Sequence, residues 1–239
     1  MKQINKKKPL FLYTTQNSPC PYLDNKIERK LIAHLKGPDS DILHEKLAQN
    51  GFRRSHSIAY APICNKCNEC IPVRVVVKEF QLNKSFKRNW KLNSKIESQA
   101  LPPQATIEQY KVFKDYQLSR HDGSDMSNMG LYEYTAMIED TPIDTYIIEY
   151  RLNSGELVAV CLTDRTSDGL SAVYSFFSTK YSKLGLGTYT ILWLIEKAKR
   201  LKLPYLYLGY LIKGSAKMDY KKKFKPLEKL SANGWTRLI

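Results

Sequence analysis

The chain has 239 residues, 43% hydrophobic and 11% aromatic, enough for a buried core and too apolar for disorder to be the default. No apolar run approaches the roughly 18 residues that span a bilayer, and the stretch 9–13 is too short for a secretory signal, so a soluble chain with a cytoplasmic address and no membrane partner is expected. A formal charge of +15 and a pI of about 9.5 point to polyanionic partners, because Lys and Arg gain affinity by displacing condensed counterions from phosphates.

Residues 10–80 hold four of the five cysteines and several extended segments, among them 73–77 (VRVVV), whose β-branched residues predict a strand. An odd cysteine count without an export signal argues against a disulfide framework and leaves free thiols for metal or chemistry. Residues 83–104 read as a polar connector ending in two consecutive prolines, which cannot continue a helix. A helix follows over 106–120, with Ile107, Tyr110, Phe113 and Tyr116 on one side. The apolar runs 157–162 and 170–177, separated by the turn sequence TSDG, predict paired antiparallel strands. After the glycines at 185 and 187, apolar residues recur at Ile191, Leu194, Ile195, Ala198 and Leu201, the spacing of an amphipathic helix that Pro204 stops. The run 205–212 (YLYLGYLI) reads as a buried strand. The expected class is α+β, an acetyltransferase-like mixed sheet with flanking helices over 105–239, preceded by a smaller cysteine-containing module and connector over 1–104.

Three features carry chemistry. Cys64, Cys67 and Cys70 form CxxCxxC, a spacing at which thiolates on a turn converge on one cation, with Cys20 as a fourth ligand and His56 as its rival. Zinc and an iron–sulfur cluster both suit such a set, and reduced thiols without metal remain the alternative; Cys161, within an apolar run, reads as a small buried hydrophobe. The turn at Gly185, Gly187 and Thr188 offers free backbone N–H groups to a phosphate or an oxyanion, or else is simple helix entry. Residues 213–225 place six lysines around Met218, Tyr220 and Phe224, and Lys84, Lys87, Arg88 and Lys91 stand with Phe86 and Trp90, mixtures that bind unpaired bases and phosphates or form a solvated basic face.

Taken together, CxxCxxC followed by IPVR, then RHDGSDM, LSAVYSFF, LGLGTYTILWLIEKAKRLKLPYLYLGY and KMDYKKKFKPLE resemble the bacterial aspartate/glutamate leucyltransferases, within the wider arginyltransferase family. The similarity runs from Cys20 to Trp235 and departs from the usual pattern at Leu211, where tryptophan is common, and at Phe86, Lys87 and Arg88, where Gln-Arg-Arg is typical. The resemblance implies an acetyltransferase-like domain that moves an aminoacyl group from tRNA to an N-terminal Asp or Glu, marking the acceptor for degradation by the N-end rule pathway. Leucyl-tRNA is then the co-substrate and no further cofactor is required for transfer. The short length matches the leucyl branch, with an arginyl donor as the nearest alternative. It also implies a place for metal at Cys20, Cys64, Cys67 and Cys70.

An activated ester needs little beyond positioning of an unprotonated α-amine and stabilisation of an oxyanion. Asp164 and Tyr174 are the candidates to orient that amine, Asp164 alternatively pairing with Arg165. Arg74 and Arg120, with His121 adjacent, are candidates for the acceptor carboxylate, and Lys217, Tyr220, Lys221 and Lys222 for the acceptor end of tRNA. Two other classes compete: a coenzyme-A-dependent N-acetyltransferase, favoured by the glycine turn, and a non-catalytic metal-containing RNA-binding module.

Overall fold

The structure, a computed structural model, describes residues 9–120 and 122–238. Short strands at Leu12–Thr14 (β1), Ser18–Pro19 (β2), Ile27–Glu28 (β3) and Lys30–His34 (β4) precede a helix over Ser40–Gln49 (α1), and Arg53–Ser55 (β5) and Ile58–Pro62 (β6) follow it. β2 and β3 pair as a ribbon, while β1, β4, β6 and β5 form an antiparallel sheet in that order. Ala33, Leu35, Leu47, Ala59 and Ile143 make its small core.

The chain then enters a larger sheet at Cys70–Val76 (β7), forms a helix over Lys84–Leu92 (α2), and continues through Glu97–Leu101 (β8), Ile107–Arg120 (α3) and Leu131–Glu139 (α4). Thr145–Arg151 (β9), Leu157–Arg165 (β10) and Gly169–Phe177 (β11) make a meander; a helix over Leu186–Arg200 (α5) crosses to Tyr205–Ile212 (β12), and Leu227–Ser231 (β13) and Gly234–Leu238 (β14) form a hairpin. The eight strands lie in the order β14-β13-β7-β12-β11-β10-β9-β8, a mixed α+β architecture to which β7 and β8 contribute from before residue 104. Among the described strands only β11 and β12 run parallel, and α5 is the crossover that parallel neighbours require.

One face of this sheet carries α2 and α5. Leu186, Leu192 and Leu194 pack with Val73, Ile148, Cys161, Leu206 and Leu208 there, each fully buried leucine contributing roughly 1.5–3 kcal/mol. The other face carries α3 and α4, with Phe113, Tyr134 and Ile138 against Ile147, Val160, Leu162 and Phe176. Among the described residues no helix is long and apolar enough to cross a membrane.

The expected connector over 83–104 is instead α2 and β8. Asn83 starts the helix by accepting the Phe86 backbone N–H at 2.9 Å, and the pattern is hard to see because Phe86 and Trp90 are its inward apolar residues among lysines. The paired prolines end a strand, β8, which pairs with β9. On α3 the buried line runs through Gln109, Phe113 and Gln117, and Ile107 is exposed.

The small sheet is locked to the large one by Arg54 of β5 and Asp164 of β10. Nε and Nη2 of Arg54 each donate to a carboxylate oxygen at 2.7 Å, and the Thr145 hydroxyl donates a third bond at 2.9 Å. The side chains are 1% and 0% exposed, and His44 stands 3.6 Å from the carboxylate, its pKa lowered by burial against the opposing pull of Asp164. The Asp164 carboxylate, expected to orient a substrate amine, is instead fully buried and occupied by Arg54 and Thr145, which makes it a structural anchor. It does not pair with Arg165 because successive strand residues point to opposite faces. Arg54→Ala leaves this carboxylate buried and unpaired, so chemical denaturation should show a loss of about 3–5 kcal/mol; a loss below about 1 kcal/mol would remove the pair from its anchoring role.

Candidate active site

β11 and β12 pair only at their starts, where Gly169, Leu170 and Ser171 face Tyr205, Leu206 and Tyr207. Beyond that point β11 stays with β10 and β12 stays with β7, so the two parallel strands part into a V. Each strand is bulged where they separate. Leu162 and Thr163 face Tyr174 and Ala172, leaving Val173 as the extra residue, and Arg74 and Val73 face Tyr207 and Gly209, leaving Leu208 extra. Bulges bend a strand and re-aim its side chains, and here they open the sheet while its outer pairings persist.

Arg53 fills the apex of the V. Its Nη2 donates to the carbonyls of Ala172 and Val173 at 3.1 and 2.7 Å, acceptors that the parting of the strands leaves without a ladder partner. Its Cζ lies 2.6 Å from where a Cβ on residue 209 would stand, so a larger residue would displace the guanidinium, and the φ of +73° at Gly209 strains any other side chain there. Nη1 is buried without a hydrogen-bond partner, and among the described residues no carboxylate pairs with this guanidinium. A small cavity lined by Arg53, Ser171, Tyr207 and Gly209 adjoins it.

Phenols crowd the same region. Tyr210 donates to the carbonyls of Gly51 and Tyr60 at 2.9 and 3.2 Å, and the Tyr174 hydroxyl accepts from Gln117 of α3 at 2.5 Å. Burial, followed by the Tyr60 phenol, pushes Tyr22 up to about 12, and burial also raises Tyr174 and Tyr210 above the usual phenol range. All three are protonated at neutral pH. Lys221 is turned inward beside them, 5% exposed, its Nζ donating to the Tyr210 backbone carbonyl and lying 3.3 Å from the Met218 sulfur. Burial first, then the charge of Arg53, lowers its pKa to about 7, with Cys70 opposing.

The other expected residues divide by what their side chains already touch. Arg74 is committed: its guanidinium lies 3.4 Å from the Tyr205 ring centroid and 4.2 Å from that of Trp235, pairs with Glu228 at 2.9 Å and donates to the Tyr207 hydroxyl at 3.2 Å. No face of it is left for an acceptor carboxylate. Arg120, at the end of α3, is exposed, and His121 lies outside the described residues. Lys221, being buried, does not reach RNA phosphate; Lys217 and Tyr220 are exposed, and Lys222 pairs with Asp219 at 2.6 Å.

The turn before α5 is largely self-satisfied. The Gly185 N–H goes to Ser182, and the Thr188 N–H returns to the Gly185 carbonyl at 3.0 Å. Gly185, in the left-handed region with φ of +61°, leaves room for the Asn89 amide, and Gly187 leaves room for the Phe177 ring. Arg53 escaped sequence reasoning although Arg53 and Arg54 are adjacent; strand alternation, which sends one to the anchor and the other to the V, is the signal that separates them.

Cys20, Cys64, Cys67 and Cys70 line one pocket, and His56 is not among its lining residues. Burial, then the neighbouring thiols led by Cys64, pushes Cys70 up to about 12. Four thiols are the right donors for zinc or an iron–sulfur cluster. Yet among the described residues no three His, Cys, Asp or Glu side chains are gathered closely enough to hold an ion, and the chemistry below uses none. Cys161 is buried within β10, as its apolar setting predicts.

Two family models match the chain: Arginine-tRNA-protein transferase, N terminus, over residues 18–88, and Arginine-tRNA-protein transferase, C terminus, over 108–231. An aspartate/glutamate leucyltransferase of Paramagnetospirillum magneticum is 49% identical over 97% of this chain and 95% of its own length. Those of Rhodospirillum rubrum and Granulibacter bethesdensis are 49% and 48% identical, over 95% and 97% of this chain and 93% and 86% of theirs. Among solved structures, L-PGS from Bacillus licheniformis overlaps 75% of this chain and 52% of its own at 14% identity and a TM-score of 0.47. FemX overlaps 90% of this chain and 84% of its own at 9% identity and a TM-score of 0.46.

Proposed function

Because the chain belongs to the aspartate/glutamate leucyltransferase family, we infer that it transfers leucine from leucyl-tRNA to the N-terminal Asp or Glu of acceptor proteins, marking them for degradation by the N-end rule pathway. The observation that carries this is near-half identity, end to end, with relatives of that name. The arginyl donor named by the family models is the second reading, and full-length agreement with the leucyl branch favours leucine. We place this chemistry in the cytoplasm, where charged tRNA is made. The splayed parallel pair, with α5 crossing between its strands, supports an acetyltransferase-like arrangement of the transfer domain. Offered leucyl-tRNA and arginyl-tRNA with peptides beginning Asp, Glu, Lys or Arg, the protein should add the mass of leucine to the Asp and Glu peptides alone; arginine addition, or no addition, overturns the inference.

The V is the proposed place of transfer. The acceptor's α-amine attacks the leucyl ester carbonyl, the new amide bond forms, the ester bond to the terminal ribose breaks, and the ribose oxygen takes up a proton. An acceptor side-chain carboxylate needs a fixed cation, and Arg53 offers at the V a guanidinium with a buried, unpartnered nitrogen whose charge no carboxylate of the described residues neutralises. Tyr210, buried, and Tyr174, half-buried, shield it from water. Arg53→Gln should raise KM for Asp and Glu peptides at least tenfold, while KM for leucyl-tRNA changes less than threefold; an unaltered peptide KM would free Arg53 from this role.

Lys221 is proposed to carry the proton. The groups that face it are the charge of Arg53, the Cys70 thiol, the Tyr220 ring and the Tyr210 carbonyl, and none is a carboxylate that would hold it protonated. Neutral above about pH 7, it accepts the proton that the α-ammonium sheds and returns it to the departing ribose oxygen. Its folded pKa lies below the ordinary 10.5, so between about 7 and 10.5 the unfolded chain binds the extra proton and stability from this group rises with pH. Accordingly kcat should climb through an inflection near pH 7, and Lys221→Met should erase that inflection and lower kcat at least tenfold. The same variant should gain thermal stability at pH 6 more than at pH 10, which separates a lost base from a damaged fold.

A further inference from the structure

The sequence places Lys84, Lys87, Arg88, Lys91 and Lys95 in a stretch, 80–96, that contains no Asp or Glu. On α2, at 3.6 residues per turn, the first four fall within about 100° of arc. Phe86, Asn89, Trp90 and Asn93 occupy the opposite side and fix the helix to the protein. Phe86 stacks on Phe224 with centroids 5.0 Å apart, Trp90 meets Tyr189 at 5.5 Å, and the amides of Asn89 and Asn93 each donate to the Leu184 carbonyl at 2.9 Å. All four basic residues of the stripe are exposed, and among the described residues none has an ion-pair partner.

A solvated helix face normally intersperses acids with its lysines at i+3 and i+4, where opposite charges attract. This one sets like charge beside like charge, and puts Lys84 in the first turn with no acid there, against the helix dipole. Such a surface is relieved by a polyanion. Its position gives it a use. Asn89 and Asn93 tie the stripe to the turn that follows β11, one arm of the V, and Phe224 ties it to the segment that follows β12, the other arm. Lys183 on the first segment and Lys223 and Lys225 on the second are also exposed and, among the described residues, without ion pairs, so the basic surface reaches the mouth of the V from both sides.

We propose that the outward face of α2, with Lys183, Lys223 and Lys225, is the surface on which the acceptor arm of the donor tRNA lies, so that its aminoacylated 3′ end enters the V between β11 and β12. The assignment rests on the aminoacyl-tRNA reading of the donor. It moves the main RNA contact away from Lys221, which is buried, and Lys222, which is paired. Phosphate contacts of this kind position the RNA without reading its sequence.

The test is the variant Lys84→Gln, Lys87→Gln, Arg88→Gln, Lys91→Gln, with the milder pair Lys87→Gln, Lys91→Gln beside it. Two donors are compared: leucyl-tRNA, and a leucyl ester of the isolated 3′-terminal trinucleotide, which spans the V but not α2. KM for leucyl-tRNA should rise at least tenfold in the fourfold variant and less in the pair, with kcat and the KM for acceptor peptide held and the trinucleotide ester used as well as by the unaltered protein. The log–log salt slope for binding uncharged tRNA should flatten by about 0.7–0.9 for each charge removed. An unchanged KM and salt slope would show a merely solvated face, and equal losses on both donors would place the defect in the V; either overturns the proposal. Should the unaltered protein transfer no leucine, the function is wrong, while loss of tRNA affinity in the fourfold variant would still uphold the surface.

Discussion

The parting of two parallel strands governs the rest of this molecule. β11 and β12 share three residue pairs and then separate, and separation inside a sheet exposes carbonyls that water or a side chain must satisfy. Arg53 satisfies them with one nitrogen, occupies the space that Gly209 vacates, and leaves a charge with no internal partner. The guanidinium that keeps the sheet open is thus also the group on which an acidic chain end could settle. For this to work the four-stranded sheet must hold still, because Arg53 reaches the V from β5. Its neighbour Arg54 provides that rigidity by pairing with Asp164 in a setting where neither side chain meets water.

The net positive charge is sorted by depth. Arg54 and Arg74 are neutralised inside, by Asp164 and Glu228, and contribute to architecture. Arg53 and Lys221 are inside without carboxylates, and burial first, then the charge of Arg53, lowers the proton affinity of the lysine. Apart from Lys221, the cations of α2 and of the segments after β11 and β12 are outside and, among the described residues, form no ion pair, Lys180 and Lys222 excepted. One bulk number therefore conceals three physical roles that burial and pairing separate.

Much of the fold could be read in advance where periodicity and punctuation agree. The β10–β11 hairpin with its TSDG turn, α5 after its glycines and β12 all fall where apolar spacing predicts them. α2 was hidden because its inward face includes asparagines, whose purpose of capping the carbonyls of Leu184 and Gly185 exists only in three dimensions. The site was less legible still. Arg74 and Arg53 look alike in sequence, and what distinguishes them is the aromatic sandwich and Glu228 around one and the absence of any acid around the other. Lys221, in a run of three lysines, gives no hint that it alone turns inward. The family resemblance, by contrast, needed only ordered motifs, and it agrees with the relatives along almost the whole chain.

β7 lies in the middle of the large sheet, between β12 and β13, although it is made from residues 70–76 and its partners from 205–212 and 227–231. As the chain leaves the ribosome this valine-rich strand must therefore wait, both its edges unpaired, until almost the entire polypeptide has been synthesised. Such non-local closure slows folding and leaves a sticky intermediate in the interval. A nascent-chain chaperone, or a pause in translation before the final hairpin emerges, would bear most strongly on the yield of this protein at that strand.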